Sequence, residues 1–203
     1  MSDRIGSALY TSVDPRRDAE TLGKAGVQQL GEVLERIARV RNEYRHGKQH
    51  IALVGGTGTA KTMLMLHLYF AWLYNGVSCY WIEQDELIRQ AKNMHSGILG
   101  LPELAESWRA TVQRYGVIFL SDLGAQRADK TAEPGTSPLA NLLQALLNRF
   151  SGRLVWDSNL DADMLRRHPD IGPRIVSRLM ADRGGSPCEV LTLWGADQRQ
   201  HLL

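Results

Sequence analysis

The chain has 203 residues, 24 Lys+Arg against 22 Asp+Glu, a formal net charge of +2, and apolar and charged fractions of 43% and 23%. These are the values of a soluble globular protein of one domain, long enough to bury a proper core. No run of eighteen apolar residues occurs, so no transmembrane helix is expected. The opening MSDRIGSALYTSVDPRRDAE has no apolar core of the signal-peptide kind, which predicts a cytoplasmic protein with no membrane role. Two cysteines, Cys79 and Cys188, are too few for a disulfide framework or a zinc site, and Cys79 in its apolar run reads as a buried free thiol. The slight basic excess is compatible with nucleic acid without pointing to it.

In chain order, residues 1–20 read as an irregular arm. Residues 21–46 read as a leading helix, because Leu30, Val33, Leu34, Ile37, Val40 and Tyr44 recur every three or four positions. Glu32 with Arg36 and Glu35 with Arg39 add acid-first pairs four apart, and Gly47 suits the helix end. His50 to Val54 is a short strand. Lys61 to Tyr74 is apolar nearly all round and predicts a fully buried helix. Asn75-Gly76 is a turn, Val77 to Ile82 a second strand, and Asp85 a cap for a helix reaching His95. A helix from Pro102 to Tyr115 precedes a third strand, Val117 to Leu120. Residues 124–138 carry the turn formers of a long loop. A helix over Leu139 to Phe150, a strand over Leu154 to Trp156 and short helices over Asp161 to Arg167 and Pro173 to Asp182 follow. Gly184-Gly185 breaks the last helix before a fifth strand, Val190 to Trp194. Strands alternating with helices predict an α/β fold, a parallel five-stranded sheet sandwiched by helices.

The chemistry concentrates in residues 50–62, HIALVGGTGTAKT. A phosphate-binding loop follows the pattern G-x-x-x-x-G-K-[ST]. Gly55 opens it here and Lys61-Thr62 close it, but Ala60 replaces the second glycine. Gly55, Gly56, Thr57, Gly58, Thr59 and Ala60 would form the cradle whose amides face a phosphate. Lys61 would reach the β- and γ-phosphates of ATP, and the Thr62 hydroxyl would bind Mg²⁺. The dipole of the following helix favours the anion. A negative φ at residue 60 would make the alanine cheap, and a positive φ would cost ~1 kcal/mol or more. The alternative is an ordinary glycine-rich turn.

P-loop hydrolases hold Mg²⁺ through an aspartate ending a neighbouring strand, often beside a glutamate that activates water. The candidate VIFLSDLG, residues 117–124, has one acid. Either Asp122 is the metal ligand, or Ser121 takes the metal position and Asp122 orients water. One carboxylate is missing in both cases, which predicts slow hydrolysis. Asn159, at the polar end of the next strand, could position water or touch the γ-phosphate, and Ser158 and Asn159 could equally be turn residues. Arg174 and Arg178 lie four apart, away from the apolar face of Ile175, Val176, Leu179 and Met180. They could meet the phosphate of a neighbouring subunit or form a solvated basic face.

Taken together, GGTGTAKT, FLSDLG, DSNL, RIVSRL and the closing DQR resemble the DnaC/IstB-type AAA+ ATPases, helicase loaders and transposase helpers, over roughly residues 20–203. The resemblance implies an AAA+ core without a C-terminal helical lid, spanning residues 21–203. It implies that Lys61 and Thr62 bind nucleotide, with Ser121 in the metal-binding aspartate position and Asp122 in the catalytic acid position. By the same match Asn159 is the γ-phosphate sensor, Arg178 the finger reaching the next subunit's ATP, and Arg199 an arginine near the nucleotide. It also implies self-association through the ATP sites, binding of single- or double-stranded DNA, and a replicative helicase or transposase as partner. Arg149, Arg153, Arg166 and Arg167 are the candidates for the DNA-facing channel, with a plain surface charge that aids solubility as the alternative for each. Ala60, Ser121 and the short N-terminal region depart from the family's pattern. The competing readings are a nucleotide-gated scaffold with little hydrolysis and a P-loop small-molecule kinase.

Overall fold

The computed structural model describes residues 19–42, 49–95, 110, 114–125, 137–181 and 187–193, with backbone alone for 19–30, 90–95, 138 and 149. In order the elements are α1 (Ala19–Asn42), β1 (Ile51–Gly55), α2 (Lys61–Tyr74), β2 (Cys79–Glu83), α3 (Gln84–His95), β3 (Val117–Ser121), α4 (Pro138–Arg149), β4 (Arg153–Ser158), α5 (Ala162–Arg167), α6 (Gly172–Leu179) and β5 (Glu189–Leu193). The five strands form one parallel sheet in the order β2-β3-β4-β1-β5. Parallel strands joined by helices are covered on both faces, which explains their near-continuous apolar runs.

The two faces build two cores. Ile51, Leu53, Val117, Phe119, Val155, Leu191 and Leu193 meet α1 and α2 through Val33, Ile37, Val40, Leu64, Met65, Leu68 and Trp72. Ala52, Val54, Ile82, Ile118, Leu120, Leu154 and Trp156 meet α4 and α6 through residues such as Leu143, Leu146, Ile175 and Leu179. Burying a side chain of this size contributes ~1.5–3 kcal/mol. Because all strands run the same way, Gly55, Glu83, Ser121, Ser158 and Leu193 end on one edge of the sheet. Ligands of open α/β sheets bind at that edge.

Several elements differ from the sequence-based expectation. The helix α2 is not buried all round, since Met63, Phe70, Leu73 and Tyr74 are exposed. It packs one side on the sheet and α1, and its outer side faces away from both. Asp85 sits inside the first turn of α3, which starts at Gln84 directly after β2. The described part of α1 runs to Asn42, residues 43–46 of the expected helix lie outside the described residues, and Arg36 and Arg39 of α1 reach across to β5. Arg36 Nε donates to Glu189 Oε1 at 2.8 Å, and Arg39 Nη2 to the same oxygen at 3.1 Å. β4 is longer than predicted and runs through Asp157 and Ser158, both buried. Arg153 is buried as well, with its guanidinium 5.1 Å from the centre of the Trp72 ring, so it does not face a DNA channel. The free thiols are as expected, and burial pushes Cys79 up to about 11. The arm, most of the 102–115 helix and of the 124–138 loop, and Gly184-Gly185 lie outside the described residues. No described helix is long and apolar enough to cross a membrane.

Candidate functional site

The loop between β1 and α2 has the small-residue backbone that the pattern requires. A Cβ on Gly55 would stand 2.2 Å from the Leu193 carbonyl oxygen, so β1 and β5 approach too closely there for any side chain. Ala60, the residue before α2, has φ 62° and ψ 16°, in the left-handed region. Its methyl group therefore carries a strain of ~1–2 kcal/mol. Asp122 has φ 58°, and among the described residues these two are the only non-glycines at positive φ. Strain of this kind gathers at functional sites, and here it flanks a single sheet edge.

Lys61 is 6% exposed and ties the loop to the end of β4. Its ammonium donates to the carbonyls of Gly55 at 2.9 Å and Gly56 at 2.6 Å, and to Asn159 Oδ1 at 2.7 Å. Thr59, also buried, donates from Oγ1 to the Gly56 carbonyl at 2.9 Å and fixes the loop's curl. Lys61 and Asn159, 98 positions apart, are thus brought together as a pair. The N–H groups of the first turn of α2 have no intrahelical acceptor, and with the helix dipole they favour an anion.

Beside them, the Thr62 hydroxyl donates to Asp157 Oδ2 at 2.9 Å. The other oxygen, Oδ1, accepts the Asp122 N–H at 2.6 Å. Asp157 is fully buried, and burial pushes its carboxyl above the ordinary carboxylate value. The bonds from Asp122 N–H and Thr62 oppose that shift, the Asp122 charge adds to it, and the Lys61 charge opposes it. Ser121 is buried at the end of β3, while Asp122 is exposed just beyond it. Ser158 has a structural part: its Oγ donates to the Leu123 carbonyl at 2.6 Å and accepts the Leu160 N–H at 3.0 Å. Asp161 caps α5 by accepting the Met164 N–H at 2.7 Å.

The structure therefore assembles Lys61, Thr62, Asn159, Ser121 and Asp122 at one edge of the sheet. Arg174 is exposed and Arg178 half-buried, on the side of α6 opposite Ile175, Val176 and Leu179. Among the described residues neither is hydrogen-bonded to the loop. Arg199 lies outside the described residues. Asp157 was missed by sequence reasoning. Had β4 been extended two residues, the alternation Arg153, Val155, Asp157 would have placed it on the α2 face.

No protein-family model and no curated protein matches the chain. Solved structures do. The DnaC helicase loader superposes with a TM-score of 0.59 at 16% identity, over 82% of this chain and 90% of that one. DnaI gives 0.59 at 19% identity, over 84% of each. The replication initiator DnaA, bound to AMPPCP and single-stranded DNA, gives 0.57 at 14% identity, over 82% of this chain and 46% of that one. The fold, a five-stranded parallel sheet with helices, matches that of these P-loop AAA+ neighbours. The likeness to helicase loaders holds in three dimensions, and at these identities it is a likeness of fold. In this fold the β1–α2 loop lies at the carboxyl edge of the sheet, beside the ends of β3 and β4.

Proposed function

We propose that the chain is an AAA+ domain that binds MgATP at Lys61 and Thr62, assembles through that site and acts on DNA, as a helicase loader or transposase helper does. The observation that carries this reading is the Lys61–Asn159 contact of 2.7 Å. It joins the loop lysine to Asn159, which in this reading would sense the γ-phosphate, across two neighbouring parallel strands. The nucleotide analogue and single-stranded DNA on the similar DnaA structure support the ligand classes.

In this reading the loop amides and the first turn of α2 bind the phosphates, and Lys61 turns from the loop carbonyls toward them. The residues at hand offer Mg²⁺ what it prefers, oxygen donors: the Thr62 hydroxyl with a carboxylate in contact. Bound Mg²⁺ would neutralise charge on the β- and γ-oxygens. Asp122 would orient the attacking water, Asn159 would hold the γ-phosphate, and Arg178 would reach the ATP of the adjoining subunit, with Arg174 beside it. Arg166 and Arg167, exposed on α5, remain candidates for DNA contact, although Arg166 pairs with Asp163 on its own helix.

The strained Ala60 and the serine at position 121 favour a second reading, a nucleotide-gated scaffold that turns over little ATP. Light scattering with and without ATP and DNA, on wild type and Lys61→Ala, tests the proposal. Assembly of wild type with ATP and DNA, absent in the variant, is expected. Two proteins that stay monomeric and bind no DNA under every condition would sink both readings. Phosphate release then separates the ATPase from the scaffold.

A further inference from the structure

We propose that Asp157, on β4, is the metal-side carboxylate of this site and does the work that the serine at position 121 of β3 cannot. This inference rests on the MgATP reading above and names the residue through which the metal would be held.

The argument begins with the pleat. β3 and β4 are adjacent and parallel, with Leu120 opposite Trp156. One residue further along that register Ser121 stands opposite Asp157. Val117 and Phe119 of β3 and Val155 of β4 face the α1–α2 core. By the two-residue period, Ser121 and Asp157 share that face. The carboxylate that β3 lacks is therefore present one strand over, about 5 Å away in the hydrogen-bonding direction.

The contacts fit the role. A threonine hydroxyl has one proton and two lone pairs. Thr62 spends its proton on Asp157 Oδ2 at 2.9 Å, which leaves its lone pairs for a cation. Asp157 is fully buried, and carboxylates so desolvated are rare unless paired or coordinating a metal. A purely apolar strand end would have served packing better, as it does at Leu193 of β5. Asp157 also accepts the Asp122 N–H at 2.6 Å, so one side chain both faces the metal position and holds the turn that presents Asp122. Among the described residues no group of three His, Cys, Asp or Glu side chains forms a metal site by itself. That suits a metal arriving with nucleotide, held by one or two carboxylates and the phosphates.

The test is a titration of a fluorescent ATP analogue into the full chain, in EDTA and at rising Mg²⁺. Three proteins are compared: wild type, Asp157→Asn and the transposed double variant Ser121→Asp/Asp157→Ser. Asparagine keeps an acceptor for the Asp122 N–H and removes a negative charge near the phosphates, so binding in EDTA should be retained at wild-type strength or tighter and thereby report an intact loop. The Mg²⁺ needed to strengthen binding should rise ~10–100-fold. The double variant should recover most of that loss. An Asp157→Asn protein with wild-type Mg²⁺ dependence would overturn the inference and leave the nucleotide reading standing. If Asp157→Asn fails to bind in EDTA, the double variant decides: a wild-type Mg²⁺ response supports the inference, and binding in EDTA without such a response overturns it. Wild type that binds no nucleotide under either condition would overturn both.

Discussion

The ends of β3 and β4 carry the same two residue types in opposite order, Ser121-Asp122 on one and Asp157-Ser158 on the other. On β3 the serine is buried and falls by alternation on the α2 face, and the aspartate lies beyond the strand, exposed, on a left-handed residue. On β4 the aspartate points at α2, and the serine stitches the strand end to Leu123 and Leu160. Side chains alternate across a strand, so transposing two neighbours exchanges the faces they serve. The comparison shows that a carboxylate absent from its expected position can stand on the neighbouring strand at the same height. In the proposed reading two tasks are separated: the β4 aspartate, which faces Thr62, would serve the metal, and the exposed β3 aspartate would orient water.

Four substitutions test this division, from the largest effect to the smallest. Asp122→Asn should lower phosphate release 10²–10⁴-fold, the usual contribution of a positioned base, without changing ATP affinity. A turnover rate equal to wild type would remove Asp122 from the chemistry. Ser158→Ala removes both bonds of the Oγ and should destabilise the fold by ~1–3 kcal/mol in urea titrations. Ala60→Gly releases the left-handed alanine and should raise stability by up to ~1 kcal/mol, or ~2–4 °C in melting temperature. Ser121→Ala should change stability by less than ~0.5 kcal/mol, because no hydrogen bond among the described residues runs through that hydroxyl. A Ser121→Ala loss as large as that of Ser158→Ala would erase the contrast between the two serines.

The legible parts of this molecule were those with strong local signals. The β1–α2 loop announces itself by its glycines and Lys61-Thr62, and α2 was bounded correctly because Lys61 follows a turn and Asn75-Gly76 ends the apolar run. Strand identity followed from apolar runs, and the parallel sheet from their alternation with helices. The exposed outer side of α2 was not legible, because Met63, Phe70 and Tyr74 are apolar without being buried, and apolar side chains on a surface leave no pattern of their own. The conformation of Ala60 could be posed only as two alternatives, since φ is not written in the residue type. Arg153 and Asp157 were misjudged for one reason. Charged residues at a strand end look like loop, and only the sheet shows them buried, one over Trp72 and the other under Thr62.

The central claim is that the Lys61 loop is a nucleotide site. Equilibrium binding of MgATP to wild type and Lys61→Ala, followed by calorimetry on the folded proteins, tests it most directly. Charged hydrogen bonds of this kind contribute ~1.5–3 kcal/mol, so the variant should bind ~10–100-fold more weakly than wild type. Equal affinities in the two proteins, or no heat of binding with wild type, would contradict the account.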